Sequence, residues 1–146
     1  MELQKTVNMY VLGQLLADDL PTAAVQALED GFDSPALCQL AGGGGGDSQE
    51  TRALFLKALD ELKVPVPSPR EAALSYAREV AGDVLNGAIA PYEGARKIWG
   101  EVYTRFPELK ELTLFVGLAS EYEDDEKHRD SYARQIVEEC KALLGK

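Results

Sequence analysis

The chain has 146 residues, of which 45% are hydrophobic and 27% are charged. This length suits one domain that can bury a core without disulfides or metals, and the hydrophobic fraction excludes a disordered chain. The formal net charge of −10 weighs against direct binding to nucleic acid or to an anionic membrane surface, because both partners select a basic protein surface.

The N-terminal part of the chain has helical periodicity. Apolar residues recur at spacings of three and four from Leu3 to Leu16, which predicts a first amphipathic helix over that stretch. Pro21 then marks the start of a second helix over residues 22–29. Gly31 follows it, at the position where glycine commonly terminates a helix.

A third helix and a glycine run come next. Ser34 suits the N-cap and Pro35 the first turn of a short helix that ends near residue 41. Residues 42–46 are five consecutive glycines, which predict a mobile loop because they offer no side chains to pack and are costly to order. A phosphate-binding loop requires a Lys-Ser/Thr pair after its glycines, but Asp47 follows the glycines here, so we do not expect this loop to bind phosphate.

The fourth and fifth helices have clear start signals. Asp47 and Glu50 have the spacing of a capping box, although Ser48 is an alternative cap. The prolines of residues 64–67 predict a stiff, non-helical connector. The sequence Ser-Pro-Arg-Glu at 68–71 then starts a helix whose apolar stripe is Ala73, Tyr76, Ala77, Val80 and Val84.

Three further helices are predicted in the C-terminal part. One begins at Pro91 and another follows Pro107. Residues 112–119 are apolar on all sides and resemble a buried strand, but their polar flanks favour a central buried helix. The last helix begins near Asp125 and carries Tyr132 and Ile136 on its apolar side.

These elements together predict an all-α protein. Seven or eight amphipathic helices and no paired strands indicate a single-domain orthogonal helical bundle over residues 1–146, with the mobile glycine loop at 42–46 and the proline connector at 64–67. A short α-solenoid is the alternative, although no internal repeat is evident.

The cysteines and the N-terminus bear on localisation. Cys38 and Cys140 match no metal-ligand spacing and are expected to be buried, reduced thiols. The chain shows no signal-peptide cleavage site and no run of roughly 18–20 apolar residues that would span a bilayer. We therefore expect a cytoplasmic protein that is not bound to a membrane.

The stretch 121–128 is the densest group of candidate metal ligands, and it contains His128, the chain's one histidine. A zinc or di-iron site normally needs more histidine or cysteine ligands, and the EF-hand spacing is absent. Acidic residues near the start of the final helix complement its dipole, and this structural interpretation explains the stretch better than a metal site does. A metal site there is kept as the alternative hypothesis.

No catalytic constellation is apparent elsewhere. The chain has no Gly-x-Ser-x-Gly motif. His128 and Cys140 lie on one predicted helix about 18 Å apart, too far for a nucleophile–base pair. We therefore predict no catalytic residue, no cofactor and no bound metal.

The segment 91–99 carries residue types that dominate protein interfaces. Tyr92, Arg96 and Trp99 recur at helical spacing. Trp99 also lies on the core stripe, so Tyr92 and Arg96 are the better candidates for a partner-binding surface. The exposed carboxylates expected to join them are Glu121, Glu123, Asp124 and Asp125.

Four segments, 34–42, 53–62, 94–99 and 115–124, resemble a family of small bacterial all-α proteins. That resemblance implies a bacterial origin and a helical fold, and it brings no established activity to this chain. The leading hypothesis is a non-enzymatic protein-binding or regulatory domain with a protein partner, which an acidic surface suggests is basic. The alternatives are a metal-dependent enzyme or metal-binding protein using residues 121–128, and mimicry of nucleic-acid charge. The oligomeric state stays open.

Overall fold

The computed structural model describes residues 2–43 and 46–145, without the side chain of Glu2. Gly44 and Gly45 of the predicted glycine loop lie outside the described residues. The described chain forms eight α-helices, which are α1 (Glu2–Val11), α2 (Leu20–Glu29), α3 (Pro35–Ala41), α4 (Ser48–Glu61), α5 (Pro69–Leu85), α6 (Pro91–Lys97), α7 (Thr113–Asp124) and α8 (Arg129–Leu144).

Short non-α turns connect several of these helices. Turns of 3-10 helix cover Ala17–Asp19, Lys110–Leu112 and Glu126–His128, and a π-helical segment covers Ile98–Tyr103. The described ranges contain no β-strand, which confirms the predicted all-α class with seven or eight helices. Within the same ranges, no helix combines the length and the apolar character that crossing a membrane requires.

The chain divides into two compact units. Unit 1 is Met1–Ala72 and unit 2 is Ala73–Lys146. The division lies near the start of α5, shortly after the extended connector 64–67, which is non-helical as predicted. The assignment of one domain to the whole chain stays a prediction, and each unit is described by itself.

Unit 1 is held together by a leucine- and alanine-rich core. In it α3 packs against both α2 and α4, and α1 packs against α2. The ring of Phe55 lies at the centre, tilted against Tyr10 with 4.9 Å between ring centroids. Other fully buried side chains of this core are Val7, Leu20, Leu37, Leu40 and Leu59.

The predicted helix starts in unit 1 are confirmed by hydrogen bonds. The Ser34 hydroxyl accepts the N–H of Leu37 at 3.1 Å, which caps α3. The Asp47 carboxylate accepts the N–H of Glu50 at 2.8 Å, so Asp47 rather than Ser48 is the cap of α4.

Two carboxylates extend this pattern. Glu61 accepts the N–H of Ala36 at 2.9 Å, which joins the end of α4 to the first turn of α3 and lowers the pKa of Glu61. Ser68 and Glu71 each accept the other's backbone N–H, at 3.2 and 3.3 Å, and form the predicted capping box of α5.

The predicted extent of the first helix was wrong. α1 ends at Val11 instead of continuing to Leu16. Gly13 adopts φ +78°, in the left-handed region that glycine enters without steric cost, and this turns the chain out of the helix. Leu16 is consequently exposed, and its N–H donates to the Asp19 carboxylate at 2.9 Å.

Unit 2 is built on helices α5 to α8. The predicted stripe of α5 is buried, and α6, α7 and α8 pack against one another. Gly94 of α6 lies against Val84 of α5 so closely that a Cβ at Gly94 would overlap the valine side chain. The core of this unit is completed by Ile98, Val102, Leu109, Leu112, Phe115, Ile136 and Cys140.

Residues 112–119 were correctly predicted as helical rather than as a strand, but the predicted central buried helix is buried on one face only. Phe115 and Ala119 of α7 are fully buried, whereas Leu114 is 56% exposed. The difference arises because α7 packs on α6 and α8 with one face only, which leaves the positions between the buried residues open to solvent.

The two cysteines differ in environment. Cys140 is a buried free thiol as predicted, and burial raises its pKa to about 11. Cys38 is exposed, so its predicted burial was wrong. On α3 the core positions are taken by Leu37 and Leu40, and the helical turn directs Cys38 outward, where it lies 3.4 Å from the Asp33 carboxylate.

Candidate functional site

An aromatic and charged surface forms where α6 meets the end of α7 in unit 2. Tyr92, in the first turn of α6, donates its hydroxyl proton to Oε2 of Glu123 at 2.6 Å. Its ring stacks on that of Tyr122, with 4.5 Å between centroids and 11° between planes. Tyr92 is therefore held at its ring and at its hydroxyl while remaining half-buried.

Arg96 lies one turn after Tyr92 on the same helix. Its Nε is 3.6 Å from Oε2 of Glu123, and its guanidinium carbon lies 4.5 Å from the centroid of the Trp99 ring. A cation at this distance from an indole face is attracted by the ring quadrupole. The Arg96 side chain is still 45% exposed, so it is oriented by its neighbours but open to a partner. We call Tyr92, Arg96, Trp99, Tyr122 and Glu123 the α6–α7 surface.

Arg129, the first residue of α8, contacts Tyr122 of this surface. Its Nε donates to the carbonyl of Tyr122 at 2.8 Å, and its guanidinium carbon lies 4.9 Å from the Tyr122 ring centroid. The bond satisfies a carbonyl near the C-terminus of α7, where a positive charge is also favoured by the helix dipole. The contact fixes the ring on which Tyr92 stacks.

A second polar network joins the end of α7 to α8. The Tyr132 hydroxyl lies 3.0 Å from Oδ2 of Asp125 and 3.3 Å from Oε2 of Glu121. Nδ1 of His128 is 2.8 Å from the same Asp125 oxygen. His128 lies in the 3-10 turn before α8, and its side chain is 65% exposed.

These hydrogen bonds shift two pKa values in opposite directions. The hydrogen bonds from His128 and Tyr132 to the charged carboxylate lower the pKa of Asp125. The neighbouring Asp125 carboxylate, followed by burial, raises the pKa of Tyr132 to about 12. The Asp125 carboxylate therefore stabilises the folded protein fully at pH values above the pKa that Asp125 has in the unfolded chain. This stabilisation is lost as the pH falls through the lower pKa that Asp125 has in the folded protein.

The Tyr132 phenol stabilises the folded protein fully at pH values below the pKa that Tyr132 has in the unfolded chain. This stabilisation is lost as the pH rises through the higher pKa that Tyr132 has in the folded protein.

Asp125→Asn should bring the pKa of Tyr132 down towards its ordinary value, because the carboxylate that stabilises the protonated phenol is removed. The measurement is a spectrophotometric tyrosine titration, with Tyr132→Phe subtracted to isolate the one phenol. Asp124→Asn is the matched control, since Asp124 is an adjacent exposed carboxylate at the end of α7. An unchanged Tyr132 titration in Asp125→Asn would contradict the geometry of this network.

The predicted site residues are only partly brought together. Tyr92, Arg96 and Glu123 are in contact through the Glu123 carboxylate. Glu121 and Asp125 belong to the Tyr132 network, and Asp124 is the exposed last residue of α7.

Sequence reasoning missed three members of this region. Trp99 was expected in the core but is half-buried beneath Arg96, and Tyr122 was not among the predicted site residues. Arg129 carried no signal, because its bond to the Tyr122 carbonyl depends on how the chain turns between α7 and α8.

The π-helical segment after α6 was not predicted either. The N–H of Thr104 donates to the carbonyl of Trp99, five residues earlier, at 3.1 Å, and the Thr104 hydroxyl reaches the carbonyl of Gly100 at 2.9 Å. Such π turns occur frequently beside functional sites. Here the π-helical segment begins at the buried Ile98 and includes Trp99, which belongs to the α6–α7 surface.

The acidic stretch 121–128 is engaged mainly in contacts within the protein. In the ranges that the structure covers, no group of three His, Cys, Asp or Glu residues is placed to hold a metal ion. Glu121, Asp125 and His128 instead bond to Tyr132 or to each other.

Comparison of this chain with protein-family models, with curated proteins and with solved structures found no match. A functional conclusion therefore depends on the chemistry of the chain's own residues.

Proposed function

We propose that this protein is a non-enzymatic protein-binding or regulatory domain of bacterial origin, active in the cytoplasm, and that the α6–α7 surface is its contact surface. The observation that carries the proposal is the Tyr92–Tyr122 stack beside Arg96 and Trp99. Tyrosine, tryptophan and arginine are the residues that most often dominate binding energy at protein interfaces.

The fixed geometry of the surface supports this proposal. Binding loses free energy when mobile side chains are immobilised, at about 0.5–1.5 kcal/mol for each flexible side chain. The stack, the Glu123 carboxylate and the Trp99 ring already restrict Tyr92 and Arg96 in the free protein. A partner that docks there would therefore lose less free energy in ordering these groups.

Charge indicates the chemistry of the partner. The net charge is −10, and Asp124 and Glu126, which follow Glu123 closely in the chain, are exposed. Acidic side chains around a binding surface mainly accelerate association with basic proteins and select against acidic ones. The proposed partner is accordingly a protein with a basic contact face.

Photo-crosslinking tests the proposal. A benzophenone amino acid replaces Glu93, which is exposed beside Tyr92, and in a control protein it replaces Thr113, which is exposed at the other end of α7. In cells that naturally contain the protein, we expect one defined adduct with a basic protein from position 93 and none from position 113. No adduct, or the same adducts from both positions, would count against the proposal.

The metal-dependent alternative stays a prediction that no observed contact favours. Elemental analysis of purified protein, together with thermal unfolding in the presence of zinc, magnesium and calcium, distinguishes the two. Stoichiometric metal or a raised Tm would support the alternative, and under the proposed function we expect neither.

A further inference from the structure

A second surface, in unit 1, has the composition of a small-molecule site. A groove of about 580 Å³ lies between the end of α1, the loop that follows it, α4 and the proline connector. Leu16, Leu56 and Val66 line this groove and are 63%, 42% and 48% exposed. Exposed apolar side chains that gather in one concave region mark binding sites more often than scattered ones do.

Arg52 supplies positive charge at the groove. It lies on α4 one turn before Leu56, and among the described residues it is the one charged side chain that lines the groove. In the part of the chain that the structure describes, its exposed guanidinium takes part in no hydrogen bond or ion pair. A free cation at one edge of an apolar groove complements a ligand that has an apolar body and an anionic end.

The hydrogen-bonding capacity of the groove argues against a peptide occupant. The N–H groups of Gly13, Gln14 and Leu16 already donate to Tyr10, Met9 and Asp19, at 3.0, 2.8 and 2.9 Å. Besides Arg52, the lining residues that the structure describes offer only the Tyr10 hydroxyl as a polar side-chain group. A peptide brings an N–H and a C=O with every residue, and each loses free energy when it is buried without a partner. A ligand with one polar headgroup avoids this penalty.

We propose that this groove binds a long-chain carboxylate. The carboxylate pairs with the Arg52 guanidinium, and the acyl chain lies along Leu15, Leu16, Leu56 and Val66. Binding is driven by the hydrophobic effect, because the acyl chain and these side chains remove each other's apolar surface from water. The ion pair between the ligand carboxylate and Arg52 determines how the ligand is oriented in the groove. It also makes the groove prefer an anionic amphiphile to a neutral or cationic one.

The test uses the full chain and dodecanoate below its micelle concentration. Isothermal titration calorimetry should show saturable 1:1 binding, and amide NMR shifts should change for Gly13, Leu15 and Leu16. Arg52→Gln should weaken binding roughly threefold to tenfold, as expected for a charge pair at a partly exposed site. Lys57→Gln is the matched control, because Lys57 is an exposed cation on the same helix that does not line the groove, and it should leave the affinity unchanged.

A cationic ligand completes the test. Dodecyltrimethylammonium has the same apolar chain with the opposite charge, and it should bind more weakly than dodecanoate to the wild type. Equal binding of both amphiphiles, equal affinity of Arg52→Gln and wild type, or no saturable binding of dodecanoate would each overturn the proposal. Shifts confined to amides outside the groove would also overturn it.

Discussion

Replacing Phe55 with alanine is expected to lower the free energy of unfolding by about 3–5 kcal/mol, the usual cost of removing a buried aromatic ring. Phe55 is 1% exposed and lies at the centre of the unit 1 core, in contact with the ring of Tyr10. The substitution removes the transfer free energy of the ring and leaves a cavity that α1, α3 and α4 can fill only by shifting. Such a loss is a large part of the roughly 5–15 kcal/mol that stabilises an ordinary domain.

Urea unfolding monitored by circular dichroism measures this effect, and Leu56→Ala is the matched control. Leu56 is the next residue on α4 but is 42% exposed, so its truncation should lower the free energy of unfolding by less than about 1 kcal/mol. Similar losses for the two variants would contradict the assigned face of α4.

The same urea unfolding also tests the single-domain prediction. The fluorescence of Trp99, which lies in unit 2, should give the same unfolding midpoint as circular dichroism if the chain is a single domain. A separate midpoint for Trp99 would contradict that prediction.

Replacing Gly94 with alanine is expected to destabilise the protein by about 1–3 kcal/mol, although alanine is the stronger helix former. The new Cβ would overlap Cγ2 of Val84 and lie 3.4 Å from Cδ1 of Ile89. Because Val84 is buried on α5, its side chain has little room to move. The overlap would push α6, which carries Tyr92 and Arg96, away from α5.

Gly117→Ala is the matched control for this substitution. Gly117 is exposed on α7 and has no atom within 4 Å of the position of a new Cβ, so alanine should stabilise the helix by about 0.5–1 kcal/mol. Thermal unfolding of both variants should therefore show shifts in Tm of opposite sign. A Gly94→Ala variant with a raised Tm would contradict the close contact between α5 and α6.

Local signals in the sequence predicted most helix boundaries because they depend on neighbouring residues alone. The caps at Ser34, Asp47 and Ser68 were all identified, since a side chain three residues from an N–H suffices to form them. The end of the first helix was misplaced because its apolar periodicity continued past Gly13, whose left-handed conformation outweighed it. Periodicity alone does not show where the backbone turns.

The candidate site was harder to predict because its contacts join separate helices. Tyr92 and Arg96 were identified from residue type, but their shared partner Glu123 lies on α7, and no local pattern connects the two helices. Tyr122 was not identified, because the ring on which it stacks belongs to a different helix. The apolar groove beside Arg52 was missed because it depends on where the loop after α1 lies.

The central claim is that the α6–α7 surface binds a protein. The most direct test of this claim compares Arg96→Glu with Lys97→Glu. Both substitutions reverse one exposed charge in the last turn of α6, but Arg96 contacts Glu123 and Trp99. The measurement is the Kd for the purified partner identified by crosslinking. Arg96→Glu should weaken binding about tenfold or more, through loss of the contact and repulsion from Glu123.

Lys97→Glu should change the affinity by less than about threefold, or strengthen it slightly, because added negative charge attracts a basic partner at long range. Loss of affinity in Arg96→Glu alone is therefore the result we predict. Equal affinities for the two variants, whether both fall or neither does, would contradict a specific role of the α6–α7 surface in binding.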